Sequence, residues 1–531
     1  MNPRMLPTPI NAVKLSRYLE GYDKTFTSKI ITGFTLGFRL DFVGERKNSF
    51  APNLLSAREF PEVIDSKIAS EVALGRIVGP FDSPPVQPLW VSPVGVVPKK
   101  IKGEYRMIQH LSYPEGSSVN DGIPRELSTV HYATVDDAIA LIKKCGRGGA
   151  LAKTDIKSAF RILPVHPSDY QLLGFHWKGK LYVDRCLPMG CSSSCRIFEE
   201  FSTCLEWIAR NKLGIRNIIH ILDDFLIIDQ SLSSCREKLA VFLDFCNDLG
   251  VPIAKEKTEG PNSILSFAGI ELDCRKFEAR LPQEKIQKCL SAIEYIASRK
   301  KATLKELQSV IGLLNFACSV IIPGRVFLRR LINMTIGVKR PHHYIRLTQE
   351  VKHDLLLWKS FFQSHNGKSM FLEDAWYSSS HLKFYTDAAQ SLGFGIVFDR
   401  KWVYGKWPPN WNQKNIAFLE LFPIVLGVHM WGESLRNRRV LFFSDNESVV
   451  HVINKQTSKD KGLLQLIRQL VLICLQYNIL FRARHIQGKK NILADSLSRL
   501  QVDKFKALAT NVEESPSIVP RHLLPENWEK F

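Results

Sequence analysis

Between Leu151 and Leu272, short runs of Ile, Val, Leu and Phe alternate with stretches whose apolar residues recur every three or four positions. That is the pattern of a sheet carrying helices. Within it, IIHILDDFLII (Ile218 to Ile228) sets an acidic pair between two apolar runs, the layout of a β-hairpin with a charged tip. Upstream, GPFDSPPVQPLWVSPVGVVPKK (Gly79 to Lys100) ends an N-terminal region with proline and glycine and opens a strand-like run. From Leu281 to Leu331 the character changes. In LKELQSVIGLLNFACSVI, the apolar residues Leu304, Leu307, Val310, Ile311 and Leu314 keep helical spacing and predict a small helical unit. Polar and basic stretches at Lys339 to His343 and Ser364 to Lys368 lead into a second α/β pattern. It begins near His381 with LKFYTDAA and GFGIVF and closes near Leu500. The chain shows no internal repeat and no long low-complexity segment.

Composition narrows the class. A chain of 531 residues is long enough for several domains, and 45% hydrophobic with 23% charged residues is ordinary for a globular protein. No unbroken apolar run approaches the roughly 20 residues of a membrane span. The N-terminus, MNPRMLPTPINAVKLS, lacks the layout of a secretory signal, so the expected location is intracellular, in cytoplasm or nucleus, with no membrane association. The 11 cysteines then read as reduced thiols; Cys186, Cys191 and Cys195 cluster without zinc-ligand spacing and read as small buried residues. The net charge of +20 is spread along the chain. Distributed Lys and Arg suit a long anionic partner, whose condensed counterions they would release on binding.

Carboxylates supply the chemistry. Neighbouring carboxylates out of water repel each other and are costly to ionise, and divalent cations remove both penalties. Asp223 and Asp224 form such a pair, and Asp155 ends another apolar run in ALAKTDIKSAFRILPV (Ala150 to Val165). Three carboxylates on neighbouring strands could hold two Mg²⁺ about 3.5–4 Å apart, the arrangement for in-line phosphoryl displacement.

These segments, in order, resemble the palm motifs of reverse transcriptases: Asp155 with Phe160, then LPMGCSSSCRIF (Leu187 to Phe198), then LDDF (Leu222 to Phe225). SPVGVVPKK and EYRMIQHLSYPEGSSVND (Ser92 to Asp121) resemble the upstream fingers motifs, and VPIAKEKTEGP and SFAGIELD those downstream. HLSYPEGSSVND and VIIPGRVFLRRLI resemble the DIRS-type retrotransposon branch. The resemblance implies Asp155, Asp223 and Asp224 as catalytic metal ligands, and a deoxynucleotide site formed by Lys99, Arg106, Phe160, Met189 and Lys257. Lys99 and Arg106 would grip the triphosphate, Arg by a fork of donors. Phe160 would exclude a 2′-hydroxyl, and Lys257 would protonate pyrophosphate, a role that Lys255 could equally fill. Met189 stands where many retroviral relatives have Gln, and Ile221 where they have an aromatic residue.

The C-terminal pattern carries four more acids: Asp387 in FYTDAAQSLGFGIVF, Glu420 in FLELFPIVLGV, Asp445 in LFFSDNESVVHVI and Asp495 in RHIQGKKNILADSLSR. Strand ends and helices can bring such residues to one site. The set resembles the ribonuclease H domain, which implies a second two-Mg²⁺ site (Mn²⁺ a possible substitute) acting on the RNA strand of a hybrid. His485 would assist proton transfer or product release. Asn446 and Asn415 are candidates for reading the 2′-hydroxyl that distinguishes RNA.

The expected fold class is α/β, or multi-domain α+β: a right-hand polymerase with fingers, palm and thumb, a helical or mixed connection, and a ribonuclease H-like domain with a mixed sheet. The boundaries are 1–75 for an N-terminal extension, 76–280 for fingers and palm, 281–340 for the thumb, 341–380 for the connection, 381–500 for the ribonuclease H-like domain and 501–531 for a tail without evident chemistry. Implied partners are an RNA or DNA template with primer, RNA–DNA hybrid and dNTPs, with a dimer or an element-encoded recombinase as further possibilities. The rival from another class is a catalytically silent or domesticated nucleic-acid-binding protein. An RNA-copying RNA polymerase is disfavoured by Phe160 and the second acidic set. A phosphate-loop motor is excluded because Phe362 stands where the earlier glycine belongs.

Overall fold

In the computed structural model, residues 6–99, 103–364, 368–369, 375–487 and 491–530 are described. The chain divides into two units, one of Met1–Ala268 with Leu272–Lys276, the other of Gly269–Glu271 with Phe277–Phe531. Part of the polar stretch at 364–368, expected as a linker, lies outside the described residues.

The first unit contains two short fingers strands, β1 (Val94–Pro98) and β2 (Tyr105–Gln109), paired antiparallel. Its palm sheet is built from β3 (Ala150–Asp155), β4 (Ile218–Ile221), β5 (Asp224–Asp229) and β6 (Glu259–Asn262) in the order β6-β3-β5-β4. The expected hairpin forms: β4 and β5 pair antiparallel, and Leu222 and Asp223 alone make the turn. Strand β3 is buried along nearly its whole length, which explains its continuous apolar pattern.

Two helices cover this sheet. In α1 (Ser194–Asn211) the buried residues Ile197, Phe198, Phe201, Cys204, Leu205 and Ile208 recur at helical spacing. In α2 (Leu232–Leu249), Cys235, Leu239, Phe242, Phe245 and Cys246 do the same. Each large apolar side chain so buried contributes roughly 1.5–3 kcal/mol. Helix α2 starts at a Ser231 cap that accepts from the Ser234 amide and ends at Gly250, which is left-handed at φ 85°. A Cβ at Gly250 would run into the Pro9 carbonyl, so the N-terminal segment lies directly on this helix end. Leu15, Leu19, Ile30, Phe34 and Phe38 join the same core as the palm residues, and Thr8 donates to the Ile162 carbonyl at 2.7 Å.

Early in the second unit come helices α3 (Gln283–Ala297), α4 (Leu304–Ala317) and α5 (Gln349–Ser364). Helix α4 is the one read from its spacing; Thr303 and Glu306 close a reciprocal capping box at its start. There follow β7 (Phe384–Ala389), β8 (Gly393–Phe398) and β9 (Lys401–Lys406), an antiparallel sheet. Then come α6 (Ile416–Trp431), β10 (Arg439–Ser444), α7 (Glu447–Lys455), α8 (Lys461–Gln476), β11 (Leu480–His485), α9 (Ile492–Ser498) and α10 (Val502–Leu508). Strands β10 and β11 pair parallel, so the unit mixes strand directions as expected.

Residues Ile416–Leu435 are long and apolar enough to cross a membrane by length and composition, yet 72% of that window is buried inside the unit, and α6 is its core helix. A buried ion pair ties the helical segment to the sheet region: Arg468 of α8 donates to Asp354 of α5 at 3.0 Å, and its guanidinium lies 4.4 Å from the Phe327 ring. The tail is folded against this unit. Phe505 is fully buried beside Trp402, whose indole donates to the Glu513 carbonyl at 2.7 Å, and Trp528 packs on Phe422.

Two candidate carboxylate sites

The palm site follows from strand register. Asp224, the first residue of β5, stands opposite Asp155, the last of β3, and the Ile156 amide donates to the Asp223 carbonyl at 3.0 Å. Pairing therefore brings the three acids of the two segments to one strand end. Burial, then the Asp155 charge, then Asp223 push the Asp224 carboxyl up to about 6; burial and Asp155 raise Asp223 as well. Lys257 lies on Asp155, Nζ to Oδ2 2.8 Å, and this bond raises the lysine pKa. Of the two lysines open on sequence grounds, Lys257 is the one that reaches the carboxylates. Burial and mutual repulsion outweigh the nearby Lys257, Arg106 and Lys153 charges at Asp223 and Asp224, so the donor set fits divalent cations.

The turn that carries Asp223 is strained. Leu222 has φ 53°, a conformation that costs a non-glycine residue on the order of 1–3 kcal/mol and in hairpin turns favours Gly. Its amide donates to Glu199 Oε2 of α1 at 3.2 Å.

The expected nucleotide residues divide. Arg106, on β2, approaches Met189 (Nη1 to Sδ 3.6 Å) and its charge acts on Asp223, so these residues share the site. Lys99 instead pairs with Glu104 at 3.1 Å, and Lys100 to Lys102 lie outside the described residues. Phe160 sits on a single turn, Ala159–Ile162, with its ring 5.3 Å from Phe198. The turn starts from Ser158 at φ 55° and is held by the half-buried Arg161, which bonds Glu71 at 2.9 Å and Asp184 at 2.7 Å.

In the second unit, Asp387 ends up on β7, Glu420 in the first turns of α6 and Asp445 just beyond β10. Their ligand atoms lie within 4.8 Å of one another, the one such trio among the described residues. Asp387 and Glu420 are only 8% and 9% exposed. Burial, then the charges of Asp387 and Asp445, push Glu420 up to about 9. Burial likewise lifts Asp387 to about 6 against the Ser498 hydrogen bond, with Asp495 and Asp445 adding to the rise. Ser498 Oγ donates to Asp387 Oδ2 at 2.5 Å. A Cβ on Gly395 of β8 would stand 2.6 Å from the Ala494 carbonyl, so this glycine lets α9, which carries Asp495 and Ser498, lie on the sheet. Among the described residues no ion pair is made by any of the three, and such crowded acids fit a divalent metal by the chemistry of the donor set.

Asp495, the fourth expected ligand, is not in the trio; it bonds Arg499 one turn on, at 2.8 Å. His485, exposed at the end of β11, approaches the Asp445 carbonyl through Nε2 at 3.1 Å. Asn446 and Asn415 are helix caps: the first accepts from the Ser448 and Val449 amides, the second from Ala417. Their side-chain oxygens are committed to these caps. Sequence reasoning missed Glu199, Arg161 and Ser498. Of these only Ser498 had a signal, its position three residues after Asp495.

Residues 97–272 match the family model described as reverse transcriptase (RNA-dependent DNA polymerase). That span includes both fingers cations and all three palm carboxylates. Among curated proteins, the chain is 24% identical over 359 residues to a putative enzymatic polyprotein of Cassava vein mosaic virus, covering 66% of this chain and 52% of the relative. It is 30% identical over 164 residues to the Pro-Pol polyprotein of Feline foamy virus, covering 31% and 13%. The chain thus spans about half the first relative's length and far less of the second. Among solved structures, the foamy viral protease-reverse transcriptase in complex with dsDNA matches with TM-score 0.50 at 16% identity, over 91% of this chain and 99% of that one. The same protein's dRH form with double-stranded DNA gives 0.52 at 15% identity, over 91% and 83%. At these identities the likeness is one of fold, a mixed α/β architecture.

Proposed function

We propose that the chain is an RNA- and DNA-directed DNA polymerase that extends a primer 3′-hydroxyl, with a fused ribonuclease H that hydrolyses the RNA strand of RNA–DNA hybrids. The observation that carries the polymerase reading is the register of Asp224 on Asp155 with Asp223 at the adjoining turn, inside the matched span of residues 97–272. Two Mg²⁺ held by these carboxylates would activate the attacking hydroxyl and stabilise the leaving pyrophosphate. The chain's own groups do the rest. Arg106, beside Met189, supplies a fork of donors for the triphosphate, and Lys99, released from the exposed Glu104, a second charge. Phe160, backed by Phe198, closes the space in which a 2′-hydroxyl would sit. Lys257 keeps Asp155 paired and can deliver a proton to the departing phosphate.

The nuclease reading rests on the trio Asp387, Glu420 and Asp445, with Ser498 orienting the first. Asp495 would join by leaving Arg499, an exposed partner that holds it weakly. His485, fixed by the Asp445 carbonyl, is within reach to move a proton at that edge. The net charge of +20 supports a polyanionic substrate. HLSYPEGSSVND and VIIPGRVFLRRLI support a DIRS-type retrotransposon origin, with action inside the cell. The test is primer extension on an RNA template with both strands labelled. Mg²⁺-dependent primer growth together with template shortening is expected; neither activity, with Mg²⁺ or Mn²⁺, would establish the silent binding protein instead.

A further inference from the structure

Helix α1 holds strand β4 at points two residues apart. Arg210 donates to the Ile218 carbonyl at 2.6 Å, His220 Nδ1 meets Glu206 at 2.5 Å, and the Leu222 amide donates to Glu199 at 3.2 Å. Glu199 and Glu206 are seven residues apart and so share a helix face, and Arg210 follows Glu206 by one turn, bonding it at 2.9 Å. Between the two glutamates lies His220, 5% exposed, with Nε2 3.3 Å from the other Glu199 oxygen and its ring stacked 5.2 Å from Phe225. The Nε2 contact is a charge contact rather than a well-directed hydrogen bond. Burial alone would lower the His220 pKa, but the flanking carboxylates overcome it and hold it at about 9, so a buried cation secures both glutamates at neutral pH.

The last of these ties lands on the one strained residue of the hairpin. Leu222 at φ 53° directs its amide away from the strand ladder, and Glu199 is the acceptor that accommodates it. Resting on the polymerase reading, we propose that Glu199, seated by His220, is a positioning residue: by holding the Leu222 amide it fixes the turn that sets Asp223 and Asp224 against Asp155. Its bonding partners here are the Leu222 amide and His220. It acts through backbone geometry, which in a two-residue turn leaves the following carboxylates little freedom.

The test uses the full chain with Glu199→Ala and Glu199→Gln, measuring kcat and KM for dNTP, primer–template Kd, melting temperature, and amide hydrogen exchange at residues 221–224. Glu199→Ala is expected to lower kcat roughly 10- to 100-fold, the loss of a hydrogen bond to a charged acceptor. Primer–template Kd should stay within about twofold, because the variant leaves the binding surface alone, and exchange at the turn should quicken. Glu199→Gln, which keeps an acceptor for the amide, should recover most of kcat and the slow exchange. Should Glu199→Ala fail to fold, Glu199→Asp retains the charge beside His220 but withdraws the acceptor, and is expected to fold and be slow. Wild-type kcat and exchange in Glu199→Ala, or Glu199→Gln as slow as Glu199→Ala, would overturn the positioning role. A wild-type protein that extends no primer would sink the polymerase reading itself, and the exchange measurement would still report whether Glu199 holds the turn.

Discussion

The two acidic sites solve the same electrostatic problem with different means. In the palm, Asp223 and Asp224 arrive together on one turn and meet Asp155 through strand pairing, and a built-in cation, Lys257, sits on Asp155 at 2.8 Å. In the second unit, Asp387 comes from within a strand, Asp445 from just past another and Glu420 from a helix, and Arg499 is engaged with Asp495. Burial is the first cause of the raised carboxyls in both: Asp224 in the palm reaches about 6, and Glu420 about 9. A lysine bonded within a carboxylate cluster offsets part of its charge; buried carboxylates not so paired are neutralised by protons or by metal.

That difference can be broken or sharpened by experiment. The largest effect is expected for Asp445→Asn, which should lower hybrid cleavage on the order of 10³-fold while primer extension continues, since each metal supplies several kcal/mol of charge stabilisation. Labelled hybrid cleavage measures it, and unchanged cleavage would remove Asp445 from the site. Ser498→Ala frees Asp387 from its short hydrogen bond and should weaken cleavage or its metal dependence by roughly 10- to 100-fold, as outer partners of metal ligands do. Phe160→Ala should raise ribonucleotide incorporation several-fold relative to deoxynucleotide; unaltered sugar selectivity would count against the gate.

The smallest effect concerns stability. A carboxyl whose folded pKa is raised contributes stability that is complete below its unfolded value and lost as pH climbs to the folded one. For Glu420 the window runs from 4.5 to about 9. With metal chelated, unfolding free energy should fall across that window with a slope of at most about 1.4 kcal/mol per pH unit. Added Mg²⁺ should flatten it. A pH-independent denaturation midpoint in chelator would mean that Glu420 is ionised and solvated.

Much of the palm was legible because its signals are contiguous: an acidic pair between apolar runs fixes a hairpin, and the continuous apolar runs mark strands buried on both faces. Helix α4 was legible for the same local reason. What was missed depends on contacts remote in sequence. His220, inside an apolar strand, reads as a core residue, and Glu199, on a helix, as a solvated face; only packing of α1 on β4 joins them to Leu222. Asp495 was read as a ligand, but a one-turn pairing with Arg499 competes for it, a local helix preference that the motif order does not reveal. Asn446 and Asn415 cap helices, the ordinary use of asparagine at a helix start.

The central claim is that two independent carboxylate sites reside in one chain. It is tested most directly by Asp223→Asn on a primed RNA template with primer and template separately labelled. Loss of primer extension with template cleavage kept close to the wild-type rate is the predicted result. Extension at the wild-type rate, or loss of both activities in a variant that still binds the hybrid, would contradict it.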